Sequence, residues 1–382
     1  MKVLYYIHEK KSHDIKSDYL DVLLSSLSGK CDTYVVARTE DFKLTLFDEN
    51  PDVVHIIGLW DRNASKLMHA AIEKQCAVVI SPCGGLDSYA MKHEHKAEKS
   101  VYLAEYQRWM IEHADALIAS NNFELTDLQQ LKWQRNIDVI RTPLLDSSVT
   151  EETFGDSLLA FYNKVLNTRY QLALTNDEKE AIRILVRVGK SHKEPWALVR
   201  SEQLLAMRSL KPEEWRLILL YGDDEGLREI YDTAIEIMHL MPPQIDTSAI
   251  SRYTPALKKC TEPLEDKRIL EKSRKLRKEL EETTGSDTKE LQELAIMLLN
   301  ARYLIKEHTF SMRHLAELYE KIKYCDYDED RFVEIARSLG VRRFMQRILQ
   351  IMQNELHLEE GFMPDDPIDD AKAKKIQTLL LH

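Results

Sequence analysis

Residues 51–86 read PDVVHIIGLWDRNASKLMHAAIEKQCAVVISPCGGL, and this stretch decides the fold. Val53 to Ile57 is a short run rich in β-branched residues that stops at Gly58, and Ala77 to Ile80 is a second apolar run. Between them Leu67, Ala70, Ala71 and Lys74 share one helical face. Two apolar runs without polar alternation, joined by a helix, predict parallel strands buried on both faces. Each run ends in a glycine-containing loop, Gly58-Leu59-Trp60 and Ser81-Pro82-Cys83-Gly84-Gly85. Ligands of open α/β sheets bind beyond the carboxyl ends of the strands, so these loops are where chemistry is sought first.

Outward from this unit the alternation continues. Lys2 to Ile7 reads as a strand, Asp14 to Leu27 as an amphipathic helix, and Thr33 to Ala37 as a second strand before a short helix near Asp41 to Phe47. After it come a long helix from Lys96 to His113, a strand at Ala116 to Ala119, a helix at Phe123 to Leu131 and a strand at Ile137 to Ile140. Such alternation with right-handed crossovers predicts a doubly wound Rossmann-like domain over residues 1–145. Residues 146–242 read as connecting helices and a smaller, partial α/β second domain. Its strands are expected at Ile184 to Val188, ending at Gly189, and at Trp215 to Tyr221, ending at Gly222. Residues 243–382 read as an α-helical region with an irregular acidic tail from Glu359; Met312, Leu315, Tyr319 and Ile322 form an apolar stripe.

Composition narrows the function. A chain of 382 residues with 44% hydrophobic and 8% aromatic content can bury two or three cores. With 53 basic and 64 acidic residues the net charge is −11, which argues against a general nucleic-acid binder. The five cysteines are odd in number, scattered, and form no CxxC pair, so neither a disulfide framework nor a zinc site is expected. MKVLYYIHEKK is too short and too soon charged for a signal peptide, and no window of about 18 apolar residues occurs. The expectation is a cytoplasmic protein without metal or cofactor; peripheral membrane contact stays open.

His55 sits within the third strand, where it either contacts a ligand at the strand's mouth or is a hydrogen-bonded core histidine. Gly58 allows close approach of backbone to a ligand, and Trp60 either lines the site or caps the core. The loop with Ser81, Gly84 and Gly85 can expose backbone N–H groups to a hydroxyl or phosphate, or be a tight turn before a helix. Cys83 in the same loop reads as a packed thiol. Lys190 and Lys193, following the strand expected to end at Gly189, form a candidate diphosphate site, the alternative being solvated surface.

Taken as an ordered set, several of these residues resemble the N-terminal domain of family-4 glycosyltransferases, retaining enzymes with two facing Rossmann-like domains. The set is Pro51-Asp52-Val53-Val54-His55, Gly58-Leu59-Trp60, Ser81-Pro82, Gly84-Gly85-Leu86, Lys96, Tyr102, Arg108, Ala114-Asp115-Ala116-Leu117-Ile118, Ser120, Glu124 and Val139-Ile140. It covers a little over a third of the chain. The resemblance implies that this domain holds the acceptor through Gly58, Trp60, Ser81, Gly84 and Gly85, with His55 the catalytic candidate. Gly189-Lys190 with Lys193 looks like the family's donor-diphosphate element, two residues shorter. The chain departs from the pattern in three places. His8-Glu9-Lys10-Lys11 replaces a Gly-Gly loop after the first strand, Ile57 and Cys83 stand where many members carry His or Arg, and the Glu-x7-Glu donor-sugar element is missing. Residues 311–347 look faintly similar to the helical tail of nucleotidyltransferase-like proteins.

Two functions follow. One is a glycosyltransferase moving a sugar from a nucleotide-sugar donor to a glycan or lipid-linked acceptor in bacterial surface-polysaccharide synthesis. The other is a catalytically degenerate, glycosyltransferase-like binding or assembly subunit, its late helices packing within the chain or against a protein partner.

Overall fold

The computed structural model describes residues 1–9, 14–37, 42, 45, 46, 48–87, 91, 96–192, 199–255, 259, 260, 262–270 and 273–381. The chain divides into two compact units, Met1–Arg169 with Ile250–Thr254, and Tyr170–Ala249 with Pro255–His382. The short helix expected near Asp41 to Phe47 falls largely outside the described residues.

In the first unit six strands, β1 (Lys2–Ile7), β2 (Asp32–Val36), β3 (Val53–Ile57), β4 (Ala77–Ser81), β5 (Ala116–Ala119) and β6 (Ile137–Val139), form one sheet. Their order is β2-β1-β3-β4-β5-β6 and every neighbouring pair is parallel. All five residues of β3 and of β4 are buried, as the unbroken apolar runs predict.

Alternate residues serve opposite faces. Val3, Tyr5, Ile7, Val53, Ile57 and Val79 pack against helices α1 (Ile15–Leu27) and, from the end of the unit, Glu151–Thr168. Leu4, Tyr6, Val54, Ile56, Val78 and Ile80 pack on the other face against α2 (Arg62–Glu73) and the chain from Tyr106 to Leu128. That chain holds α3 (Lys96–Tyr102), α4 (Arg108–His113) and α5 (Asn122–Leu131); a π-helical turn, Leu103–Gln107, interrupts the single helix expected there. Each buried Leu, Val or Ile contributes roughly 1.5–3 kcal/mol of transfer free energy, so the double-sided core is the main support of the sheet. Glu151–Thr168 (α6), expected as an interdomain connection, belongs to this core. It approaches α1 so closely that a Cβ on Gly155 would lie 2.1 Å from the Ser26 carbonyl oxygen.

Among its described residues the second unit holds helices joined by irregular segments and no strand. It contains α7 (Tyr170–Ala173), α8 (Asn176–Gly189), α9 (Ser201–Arg208), α10 (Pro212–Asp224), α11 (Arg228–Ile237), α12 (Lys267–Leu270), α13 (Arg274–Thr284), α14 (Lys289–Lys306), α15 (Met312–Tyr324), α16 (Glu329–Ser338), α17 (Arg342–Leu356) and α18 (Ala371–Gln377). The strands expected at Ile184 to Val188 and Trp215 to Tyr221 are therefore corrected to parts of α8 and α10. An apolar run buried all round reads alike for a strand and a core helix. The start signals separate them. Thr175 and Glu178 form a reciprocal capping box before α8, and Pro212 occupies the first turn of α10. Gly189 and Gly222 do not end strands. A Cβ on Gly189 would meet the Ile230 carbonyl oxygen at 2.1 Å, and one on Gly222 the Tyr231 ring at 2.5 Å, so both permit close helix packing.

The tail is more ordered than its composition suggests. Arg342 makes a two-pronged pair with Asp365, Arg347 another with Asp370, and Asp370 caps α18. Met312, Leu315, Tyr319 and Ile322 are all buried within this unit, so the apolar stripe packs inside the chain.

Candidate functional site

The carboxyl ends of β4, β5 and β6 open into a cavity of about 260 Å³. After β4 the chain turns sharply, with Cys83 at φ 51° and Gly84 at φ 76°. A left-handed conformation is ordinary for glycine and uncommon for cysteine. Glu124, on α5 and 7% exposed, fixes this turn: one carboxylate oxygen accepts from Gly84 N at 2.8 Å, the other from Ser120 N at 2.7 Å. The Asn121 side chain accepts from the amides of Phe123 and Glu124 and so sets the start of α5. One carboxylate thus ties the loop after β4 to the loop after β5.

The cavity's chemistry is mixed. Asp87, Glu124 and Asp127 bring carboxylates, Ser120 and Thr142 hydroxyls, while Ile15, Leu144, Leu145 and the highly exposed ring of Phe123 give an apolar rim. No lysine or arginine lines it among the described residues. Such a lining disfavours a phosphate and suits an uncharged ligand rich in hydroxyls, whose O–H groups donate to carboxylates while a ring face rests on Phe123. The Cys83 thiol, pushed up to about 12 by burial and by the Glu124 carboxylate, is a poor nucleophile.

Ser81 and His55 lie behind this wall. His55 is fully buried; its Nδ1 lies 2.7 Å from the Tyr162 hydroxyl and its Nε2 2.8 Å from Ser81 Oγ. Desolvation lowers its pKa to about 3, so the imidazole is neutral. With both ring nitrogens satisfied by protein hydroxyls, His55 is a core histidine, which corrects its assignment as the catalytic residue. Ser81 Oγ is shared with the Tyr19 hydroxyl at 3.3 Å, and Tyr19 reaches the cavity wall. Ser81 itself is buried and does not line the cavity.

Gly58, Trp60 and Gly85 gather one loop away. Gly58 has φ 87° and donates its amide to the Ser81 carbonyl at 2.8 Å; a Cβ there would press on the Lys16 side chain at 2.9 Å. Trp60, at φ 67°, is held by its amide donating to Gln107 Oε1 at 2.8 Å and its indole donating to the Gly85 carbonyl at 3.1 Å. Trp60 and Gly85 therefore lock two loops together, while Gly84 alone of the expected acceptor residues reaches the cavity wall.

Of the two lysines of the expected diphosphate site, Lys190 falls among the described residues. Lys190 follows a helix, and its ammonium donates to Glu320 Oε2 at 2.6 Å. Lys193 lies outside the described residues. Sequence reading also passed over a pair it had the means to find. His8 directly follows β1, Asp61 caps α2 just after β3, and His8 Nδ1 lies 3.0 Å from Asp61 Oδ2. Both stand at strand ends, which is the signal that singles them out.

Among the described residues no group of three or more His, Cys, Asp or Glu side chains could hold a metal ion, and no helix is long and apolar enough to cross a membrane. Fold and site define an α/β protein with a six-stranded parallel sheet of Rossmann-like character and a ligand-sized cavity at the strands' carboxyl ends. Comparison with protein-family models, curated proteins and solved structures finds no match to the chain.

Proposed function

We propose that the protein is a glycosyltransferase whose α/β unit holds the acceptor, moving a sugar from a nucleotide-sugar donor to a glycan or lipid-linked acceptor in surface-polysaccharide synthesis. One observation carries the reading. Residues of the family-like set that are far apart in sequence, Gly84, Ser120 and Glu124, converge on a single cavity lined for a hydroxyl-rich ligand. Acceptor positioning is the part of transfer chemistry such a cavity can supply. The donor is a substrate, and no resident cofactor is invoked.

The second reading, a degenerate binding or assembly subunit, is favoured by the Lys190–Glu320 pair and by helices where donor-side strands are expected. Calorimetry with UDP, GDP and ADP, followed by an assay for released nucleoside diphosphate from the matching nucleotide sugars, separates the two. Nucleotide binding together with sugar-acceptor-dependent release supports the transferase. Binding of oligosaccharide without nucleotide binding or release leaves the subunit reading and ends the enzymatic one.

A further inference from the structure

The cavity at the ends of β4, β5 and β6 combines an acidic lining with an apolar rim. Four large apolar side chains of that rim are exposed: Phe123 87%, Ile15 59%, Leu145 57% and Leu144 43%. They come from three separate parts of the chain, the first residue of α1, the first turn of α5 and the turn after β6. Hydrogen bonds fix the last two of these. Asn121 Oδ1 accepts the Phe123 amide at 2.9 Å, and the Leu145 amide donates to the Thr142 carbonyl at 3.1 Å. Val35, Ile72, Val101 and Tyr102, the other large apolar side chains exposed among the described residues of this unit, do not line the cavity. Apolar side chains scattered singly over a surface are ordinary, whereas a cluster around one opening marks a place where something apolar binds.

Size and charge decide what fits. At about 260 Å³ the cavity falls below the roughly 300–1,000 Å³ of sites that enclose a whole drug-sized ligand. It has room for a single sugar ring, and the rest of a longer ligand lies on the rim. Further sugar units there would set hydroxyls against Ile15, Leu144 and Leu145, giving up hydrogen bonds to water without replacement. A hydrocarbon chain on the same three side chains leaves water favourably. Asp87, Glu124 and Asp127, with no lysine or arginine lining the cavity among the described residues, disfavour a phosphate-bearing head and an anionic bilayer surface.

We propose that the acceptor is an uncharged glycolipid, an inference that rests on the acceptor reading of this cavity. Its sugar occupies the cavity, and the first methylenes of its hydrocarbon chain lie across Ile15, Leu144 and Leu145. A free oligosaccharide can place its end sugar in the same cavity but gains nothing from the aliphatic rim. The rim supplies affinity and selection between acceptors and takes no part in the chemical step.

The test titrates the nitrogen-15-labelled full chain with methyl, hexyl and octyl glycosides of glucose, galactose and mannose, each below its critical micelle concentration. The amide shifts of Gly84 and Ser120 report the cavity. Taking two methylenes out of water raises affinity by about tenfold. For at least one of the sugars, affinity should therefore rise about tenfold or more from methyl to octyl. Leu145→Ser and Ile15→Ser, both at exposed positions, should each cut that octyl-to-methyl ratio by about threefold or more. Octyl phosphate, with the same chain and an anionic head, should bind about tenfold or more weakly than the best octyl glycoside. Affinity independent of chain length, a ratio unchanged in both variants, or octyl phosphate binding as tightly as the glycosides overturns the proposal and leaves a transferase for soluble glycans. Without a chain-length effect, loss in L145S of sedimentation with phosphatidylcholine vesicles, or of a dimer, assigns the rim to a bilayer or to a second copy and also overturns it. Chain-dependent glycoside binding without nucleotide binding or release ends the transferase reading alone. No shift with any glycoside overturns both.

Discussion

His55 Nε2 and Ser81 Oγ lie 2.8 Å apart across neighbouring strands. The register pairs His55 with Val79 and Ile57 with Ser81, so the two are diagonal neighbours on the face covered by α1 and α6. Tyr162 from α6 and Tyr19 from α1 complete the network, which holds strands and helices in one arrangement behind the cavity.

Replacing His55 by Ala takes one of two partners from each of two buried hydroxyls, since Ser81 keeps Tyr19 and Tyr162 keeps Tyr5, and opens a void. A loss of about 3–5 kcal/mol is expected, read as a lower urea midpoint. His55→Gln tests the charge. The folded-state pKa, about 3, is below the usual 6.5, so between these values the unfolded chain binds a proton that the folded one does not. The stability due to neutral His55 is present above pH 6.5 and is lost as pH falls, at up to about 1.4 kcal/mol per pH unit. H55Q should show a correspondingly shallower acid loss in hydrogen exchange at β3; an unchanged slope would contradict the buried neutral imidazole.

Glu124→Gln puts an NH₂ group against a backbone N–H at either Gly84 or Ser120. About 2–3 kcal/mol should be lost, with faster amide exchange at those two residues in particular and weaker binding of oligosaccharide. Amide exchange spectra compare the variant with wild type directly.

Gly155→Ala and Gly189→Ala each drive a Cβ to 2.1 Å from a carbonyl oxygen, of Ser26 and Ile230 respectively. Each should destabilise by about 3 kcal/mol, G155A lowering protection in the sheet and G189A in the helices of the second unit. Residue-resolved hydrogen exchange distinguishes the two; equal protection to wild type would mean that the helices part without penalty.

Glu225, 1% exposed, accepts the Met312 amide at 2.6 Å and lies 3.6 Å from Lys259. Burial raises its pKa from the usual 4.5 to about 7, against the opposing pull of Lys259. The folded state therefore holds a proton that the unfolded state has released, and this contribution is full below pH 4.5 and lost as pH rises through about 7. Urea midpoints for the second unit should fall over that window in wild type and flatten in Glu225→Gln.

Lys190→Ala removes a part-exposed ion pair with Glu320, so a stability change of at most about 1 kcal/mol is expected. UDP and GDP affinities should match wild type in calorimetry. A tenfold loss would restore Lys190 as a diphosphate ligand.

The α/β unit was legible because its signals are local. Continuous β-branched runs at Val53 to Ile57 and Ala77 to Ile80, stopped by glycines, encode buried parallel strands through propensity and period alone, and every strand expected before residue 145 is present to within a residue. The second unit was misread where two states share one pattern. Apart from Arg187 and Arg216, Ile184 to Val188 and Trp215 to Tyr221 are apolar, and only the Thr175–Glu178 box and Pro212 mark them as helical. Of the site, the sequence determined which loops lie at the strand ends. Tertiary structure alone decided which side chains face a ligand, because that depends on registers and distant partners. Tyr162 turns His55 into core, Glu320 occupies Lys190, Glu124 shapes the glycine turn, and Asp61 orients His8 from 53 residues away. A residue's chemistry is written in its side chain, but its availability is set by the neighbours that folding supplies.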